Sequence, residues 1–207
     1  MNKKTLALKL SKLQKFEKPD YKLEQYQTPS EIAAETLWTA FMNKDIENKT
    51  IADLGCGNGI LGIGSILLGA KKVYFIDIDE KMINLTKENF KKLDIDEDKA
   101  KFINKDVRRF NEKVDTILQN PPFGVKKIHM DRVFLKKAMF ISNKIYSFHK
   151  TSTESFITKL VKDEDWNYQK LYSYQFPLKK TMKYHIKRLE FTEVDLWMFN
   201  KKSTKVF

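Results

Sequence analysis

A chain of 207 residues, 42% of them hydrophobic, is long enough for one domain with its own core and too apolar to be disordered. Its 39 Lys and Arg against 27 Asp and Glu leave a formal charge of +12, a surplus that favours polyanionic partners. No apolar run reaches the length of a bilayer span, and the single cysteine, Cys56, excludes a disulfide framework and a cysteine-based zinc site, so a cytoplasmic protein with no membrane partner is expected.

Residues 1–16 have the basic start of a secretion signal, but Lys9, Lys12 and Lys15 interrupt any apolar core. They read instead as an amphipathic helix with Leu6, Leu10 and Leu13 on one face. Residues 26–45 read as a second helix, with Thr28 as its cap, Pro29 in its first position and Glu31 completing a capping box. A short apolar strand at 50–54 runs into the glycine turn 55–59, and a helix at 60–68 is closed by Gly69. A buried strand at 72–78 ends in acids and precedes an amphipathic helix at 81–93. Strands follow at 101–107 and 114–119, a helix at 132–142, a strand at 144–149 and a helix at 153–161. Residues 166–199 alternate enough to form two or three strands, with a turn near 179–183. Basic residues are densest at 3–15, 126–132 and 179–188. No repeat, low-complexity stretch or flexible linker divides the chain, so one domain over 1–207 is expected.

Strands alternating with helices predict an α/β fold, a mostly parallel sheet covered on both faces, with an antiparallel pair at the C-terminal end. Ligands of such sheets lie at the carboxyl ends of the strands, near the point where strand order reverses. The chemistry-bearing motifs fall at those ends. Asp53-Leu54-Gly55-Cys56-Gly57-Asn58-Gly59 lets the backbone turn sharply and approach a ligand closely. Gly57, Gly59 and Gly62 also match the dinucleotide spacing, so a nicotinamide cofactor has to be weighed. Asp53 tilts the balance, because a carboxylate directly before the glycines repels a pyrophosphate but can anchor an ammonium through water or the loop. S-adenosylmethionine carries an ammonium and no phosphate. Asp77, at the end of the next strand, can accept both ribose hydroxyls, and Asp106 stands where a third strand-end acid can meet the adenine amine.

The deciding motif is Asn120-Pro121-Pro122-Phe123. The lone pair of an adenine N6 amine is delocalised into its ring, so a site must localise it toward the methyl donor. The Asn120 side-chain carbonyl and the Pro121 backbone carbonyl can each accept one amine hydrogen and hold the nitrogen in line. The prolines fix their own φ and bias the residue before each toward extended backbone. Phe123 is placed to stack on an extruded base. No strong general base is needed, since the methylated amine loses its proton readily. A glutamine amide is delocalised in the same way, so a protein glutamine N5-methyltransferase competes; its motif usually ends in tyrosine, and Phe123 and the net charge favour RNA. A DNA adenine methyltransferase needs a sequence-reading region for which little chain remains, and a non-catalytic RNA-binding module has no use for Asp53, Asp77 and Asn120 together.

Longer segments carry a family resemblance. They include Phe16-Glu17-Lys18-Pro19, Leu23-Glu24-Gln25-Tyr26-Gln27-Thr28-Pro29, Asp77-Ile78-Asp79-Glu80, Asn120-Pro121-Pro122-Phe123-Gly124 and Tyr146-Ser147-Phe148-His149-Lys150. Over nearly its whole length the chain resembles the methyltransferase-like protein 5 family and its archaeal relatives, adenine-N6 methyltransferases of small-subunit ribosomal RNA. The resemblance implies a class I, Rossmann-like methyltransferase with a seven-stranded sheet, S-adenosylmethionine and no metal. It implies that residues 1–30 form a helix and a cofactor-covering segment, with Gln25 and Thr28 reaching over the cofactor, and that 31–207 form the catalytic core. It puts further cofactor contacts on Gly55, Asn58, Asp77, Ile78, Asp106 and Val107, that of Asn58 through its backbone. Eukaryotic members pair with a small zinc-binding activator protein along an edge strand, which corresponds here to 101–107. The loop 125–132 departs from the eukaryotic pattern, and no role follows for His149 and Lys150.

Overall fold

The computed structural model describes residues 1–16, 26–93, 95–123, 130–178 and 190–202. Five short strands run parallel in one sheet: β1 (Thr50–Leu54), β2 (Lys72–Asp77), β3 (Ala100–Asn104), β4 (Thr116–Gln119) and β5 (Lys144–Lys150). Two long strands, β6 (Trp166–Leu178) and β7 (Glu190–Lys201), form an antiparallel hairpin. β7 inserts between β5 and β6, giving the order β3-β2-β1-β4-β5-β7-β6. Strand order reverses between β1 and β4, which places a crevice at their carboxyl ends.

Helices explain why the central strands read as continuous apolar runs: both faces are covered. α1 (Lys3–Ser11), α2 (Ser30–Met42), α3 (Ile60–Leu67) and α4 (Glu80–Lys91) build the core on one face, where Leu37, Ile63 and Phe90 meet Ile51, Phe75 and Leu118. α5 (Met130–Ile141) and α6 (Glu154–Asp163) cover the other face through Leu135, Ala138, Ile157 and Val161. The 3.6-residue spacing of the first helix holds, with Leu6, Leu10 and the following Leu13 all buried. α3 packs without room for side chains at two glycines. A Cβ on Gly62 would sit 2.3 Å from the Phe75 ring, and one on Gly64 would sit 2.3 Å from Leu37 Cδ1.

Two expectations are corrected, the start and capping of the second helix and the end of the third strand. The second helix starts at Ser30, its N-cap position is Pro29, and no side chain caps it. Thr28 does not cap because its hydroxyl accepts from Asn120 Nδ2, while Ser30 Oγ, not a backbone amide, engages Glu31. The third strand stops at Asn104, three residues short of Val107. There the Asp106 carboxylate accepts the Arg108 N–H at 2.9 Å and turns Val107–Arg109 into one turn of 3-10 helix. The tail forms two strands, and its expected turn at 179–183 lies outside the described residues.

Candidate active site

The glycine turn after β1 is built by positive backbone φ. Gly55, Gly57 and Gly59 have φ of 69°, 56° and 81°, values that β-carbons disfavour. Gly55 and Cys56 both donate to the Ile76 carbonyl, so the turn lies against the end of β2. Asp53 does not face a ligand directly. It is 1% exposed, and its Oδ2 accepts the Gly62 N–H at 2.8 Å in the first turn of α3. Burial pushes its carboxyl up to about 8, with Asp77 adding to the rise and the Gly62 bond opposing it. Asp53 therefore ties the end of β1 to the first turn of α3.

Asp77 ends β2 beside that turn. Its Oδ2 accepts from Gly57 N at 3.0 Å and its Oδ1 from Asp79 N at 2.9 Å. Desolvation by burial raises its pKa, and these two amides act against the rise. Each carboxylate oxygen keeps a further lone pair for an incoming hydroxyl. Ile78 next to it is 55% exposed, an aliphatic surface that a purine ring can cover. Asp106 is engaged otherwise. Its carboxylate is gripped by the Arg108 guanidinium and backbone, which hold its pKa below the ordinary range. The Val107 side chain is buried in the core, so only its backbone can face a ligand.

Asn120 follows β4 directly, and the register pairs Gln119 with Leu54 at the end of β1. The Asn-Pro-Pro-Phe motif and the glycine turn therefore leave adjacent strands on the same side of the switch point. Asn120 Nδ2 donates to Thr28 Oγ1 at 3.0 Å and to the Tyr26 carbonyl at 3.4 Å. These bonds orient the amide and leave Asn120 Oδ1 buried with no hydrogen-bond partner among the described residues. A buried acceptor left open costs roughly 1–3 kcal/mol, so this oxygen can gain from a further donor. Pro121 is buried and Pro122 partly so. Phe123 is also buried and stacks on Tyr26, with ring centroids 5.7 Å apart and planes 16° apart, while Lys150 Nζ lies 5.8 Å from its centroid. The ring expected to meet a base is thus half of a Tyr26–Phe123 pair.

The N-terminal segment is fastened at both ends of the site, a feature that sequence reasoning missed. Asn89 on α4 accepts the Gln14 N–H at 2.7 Å and donates to the carbonyls of Gln14 and Asn58, both at 3.0 Å. Asn58, 2% exposed, donates its own side-chain amide to the Gln14 carbonyl. Its side chain thus holds protein, and its carbonyl is taken by Asn89. Gln14 and Asn89 stand 75 residues apart, and nothing local in either stretch signals the pairing. Gln25 lies outside the described residues. Among the described residues, no group of three or more His, Cys, Asp or Glu is placed to hold a metal ion.

A glycine turn after β1, an acid ending β2, Asn-Pro-Pro-Phe after β4 and the strand order with β7 antiparallel between β5 and β6 define a class I methyltransferase fold and site. Residues 28–144 match the methyltransferase small domain family. Mettl5 of Drosophila melanogaster, an rRNA N(6)-adenosine-methyltransferase, is 34% identical over 205 residues, covering 93% of this chain and 96% of the relative. MJ0284 of Methanocaldococcus jannaschii is 37% identical over 198 residues, covering 91% and 90%. The crystal structure of PH1948 from Pyrococcus horikoshii, described as a candidate RNA methyltransferase, has a TM-score of 0.88 and 39% identity, covering 97% of this chain and 98% of that one. The chain belongs to the methyltransferase small domain family, and within it to the family of the METTL5 rRNA N(6)-adenosine-methyltransferases.

Proposed function

We propose that this chain transfers a methyl group from S-adenosylmethionine to N6 of an adenosine in RNA, with small-subunit ribosomal RNA as the substrate. The observation that carries the reading is the buried Asn120 Oδ1, an acceptor without a donor among the described residues, beside an amide nitrogen whose hydrogens are already spent. The cofactor, when bound, supplies an electrophilic methyl on a sulfonium. The residues fit that group: positive-φ glycines expose loop backbone, and among the described residues a Cβ added at Gly57 would come no nearer than ordinary contact with Phe16, at 3.8 Å. Asp77, held by Gly57 and Asp79 amides, would receive the ribose hydroxyls, and exposed Ile78 would cover the base. Gly55 and Asn58 would contribute backbone groups, and Thr28 and Gln25 would cover the site. Asp106 would meet the adenine amine beside Val107 with its remaining lone pairs or after Arg108 turns away.

In the transfer, Asn120 Oδ1 and the Pro121 carbonyl accept the two N6 hydrogens and draw the nitrogen lone pair out of conjugation. N6, so held, would take the methyl that the bound cofactor supplies, and the amine proton would leave to water. Pro122 keeps Pro121 extended, and the Tyr26–Phe123 pair borders the base. The reading extends to partners and place. The +12 charge suits an RNA, and β3 is an edge strand whose outer side can add the strand of a small zinc-binding activator. One domain spanning 1–207, acting in the cytoplasm, completes it.

The test is methyl transfer from radiolabelled S-adenosylmethionine to small-subunit ribosomal RNA, followed by nucleoside digestion and mass spectrometry. Labelled N6-methyladenosine is the expected product. Label appearing on protein glutamine instead, or on no RNA even with an activator added, sinks the reading.

A further inference from the structure

β5 carries Ser147 and His149 on the face that packs against α5 and α6, and the chemistry above uses neither. Both are buried among Ile145, Trp197 and Phe199, where unpaired polar groups are costly. Their contacts are specific. Ser147 pairs with Gln119 in the parallel register of β4 and β5, and Gln119 Nε2 donates to Ser147 Oγ at 2.9 Å. Ser147 Oγ lies 2.8 Å from His149 Nε2. His149 stands opposite Asp195 in the β5–β7 pair, and Asp195 is held by the hydroxyls of Thr151 and Ser173 and the ammonium of Lys170. A line of buried polar contacts thus ends at the residue directly before Asn120.

We infer that Gln119, Ser147 and His149 form a positioning relay that sets the direction in which Asn120 and Pro121 leave β4. The inference rests on the adenine-N6 reading of that site. β4 has only four residues, and Gln119 is the last of them paired on both sides, to Leu54 and Ser147, so Asn120 is the first residue beyond the ladder. Gln119 and Asn120 are consecutive, and extended side chains alternate between faces. The relay grips the strand end from the α5 side, while Thr28 and Tyr26 grip Asn120. With Gln119 Oε1 unpartnered among the described residues, the contact to Ser147 is what orients that amide. Loss of His149 frees Ser147, then Gln119, and the acceptor atoms of the motif shift. A displacement of about 1 Å at the reacting atoms costs on the order of 100-fold in rate. His149 acts without touching cofactor or substrate.

The test compares His149→Phe, Ser147→Ala and His149→Gln, the last keeping an acceptor near the Nε2 position. Two quantities are read: the side-chain amide resonance of Asn120 by NMR in the cofactor-bound protein, and kcat and KM on ribosomal RNA per cofactor-binding site. The relay predicts that H149F and S147A move the Asn120 resonance and lower kcat about tenfold or more, with RNA KM and cofactor Kd within about twofold. H149Q should recover most of the rate. In a Gln119→Met, His149→Phe cycle the double variant should lose little more than either single one. A merely structural His149 would lower the folded fraction and leave kcat per site unchanged. An unmoved Asn120 resonance in the variants that fold, or additive losses in the cycle, overturns the relay. If wild-type protein transfers no methyl to RNA, the Asn120 resonance still decides the relay, and the adenine reading alone falls.

Discussion

The Asn120 amide spends both hydrogens on Tyr26 and Thr28, and its oxygen waits buried. Asn120→Ala should therefore cut methyl transfer by roughly 100- to 1000-fold while cofactor affinity, read by calorimetry, stays near wild type. Thr28→Val keeps the shape of the side chain but removes the acceptor for Nδ2, and should cost about tenfold in kcat. Asp77→Ala should raise the cofactor Kd on the order of 100-fold, since charge-assisted bonds to two hydroxyls are lost; an unchanged Kd removes Asp77 from the ribose. Buried titratable groups also set a pH signature. Asp53 ionises near 3.8 when unfolded and about 8 when folded, so its stabilisation is whole below about pH 4 and is lost as pH rises through 8. His149 is the opposite case: burial drops its pKa from 6.5 to about 3, so its contribution is whole above pH 6.5 and is lost as pH falls toward 3. Asp53→Asn should flatten the fall in unfolding free energy between about pH 4 and 8, measured by urea titration of the cofactor-free protein.

Elements were legible wherever a period or a glycine announced them. β1 falls on the residues expected, and the helices on either side of β2 begin and end within two residues of their sequence reading. Thr28 was misread as a cap because a threonine before proline and glutamate fits a capping box locally, whereas its real partner lies 92 residues away. The strand at 101–107 was read too long because Lys105 and Asp106 do not reveal that an Asx turn bends the chain there. Of the candidate site, the glycine turn, Asp77 and the Asn-Pro-Pro-Phe motif were legible, since each is a local string with its own chemistry. The Asn89 clamp and the Ser147–His149 contacts were not, because they depend on sheet register. Glycine placement makes one more point testable. Gly62 lies so near the Phe75 ring, itself stacked on Phe102 at 5.2 Å, that Gly62→Ala should destabilise by about 1–3 kcal/mol. A melting curve should show the midpoint fall, and an unchanged midpoint means that α3 can slide on the sheet.

At the scale of the molecule, charge and topology act together. A chain carrying +12 should bind RNA with a steep salt dependence, log K falling linearly with log salt by about 0.7–0.9 per phosphate neutralised. A flat salt series, measured by fluorescence anisotropy, would mean that the positive surface serves solubility alone. The sheet is finished by the end of the chain, because β7 supplies the row of hydrogen bonds between β5 and β6. The site is finished by its beginning, because Tyr26 and Thr28 orient an asparagine more than 90 residues downstream. During synthesis at roughly 5–20 residues per second, Thr28 is made about 5–20 s before the partner it will hold. The nascent chain therefore passes through an interval of seconds in which Thr28 and the glycine turn have been made but the asparagine that Thr28 will orient has not.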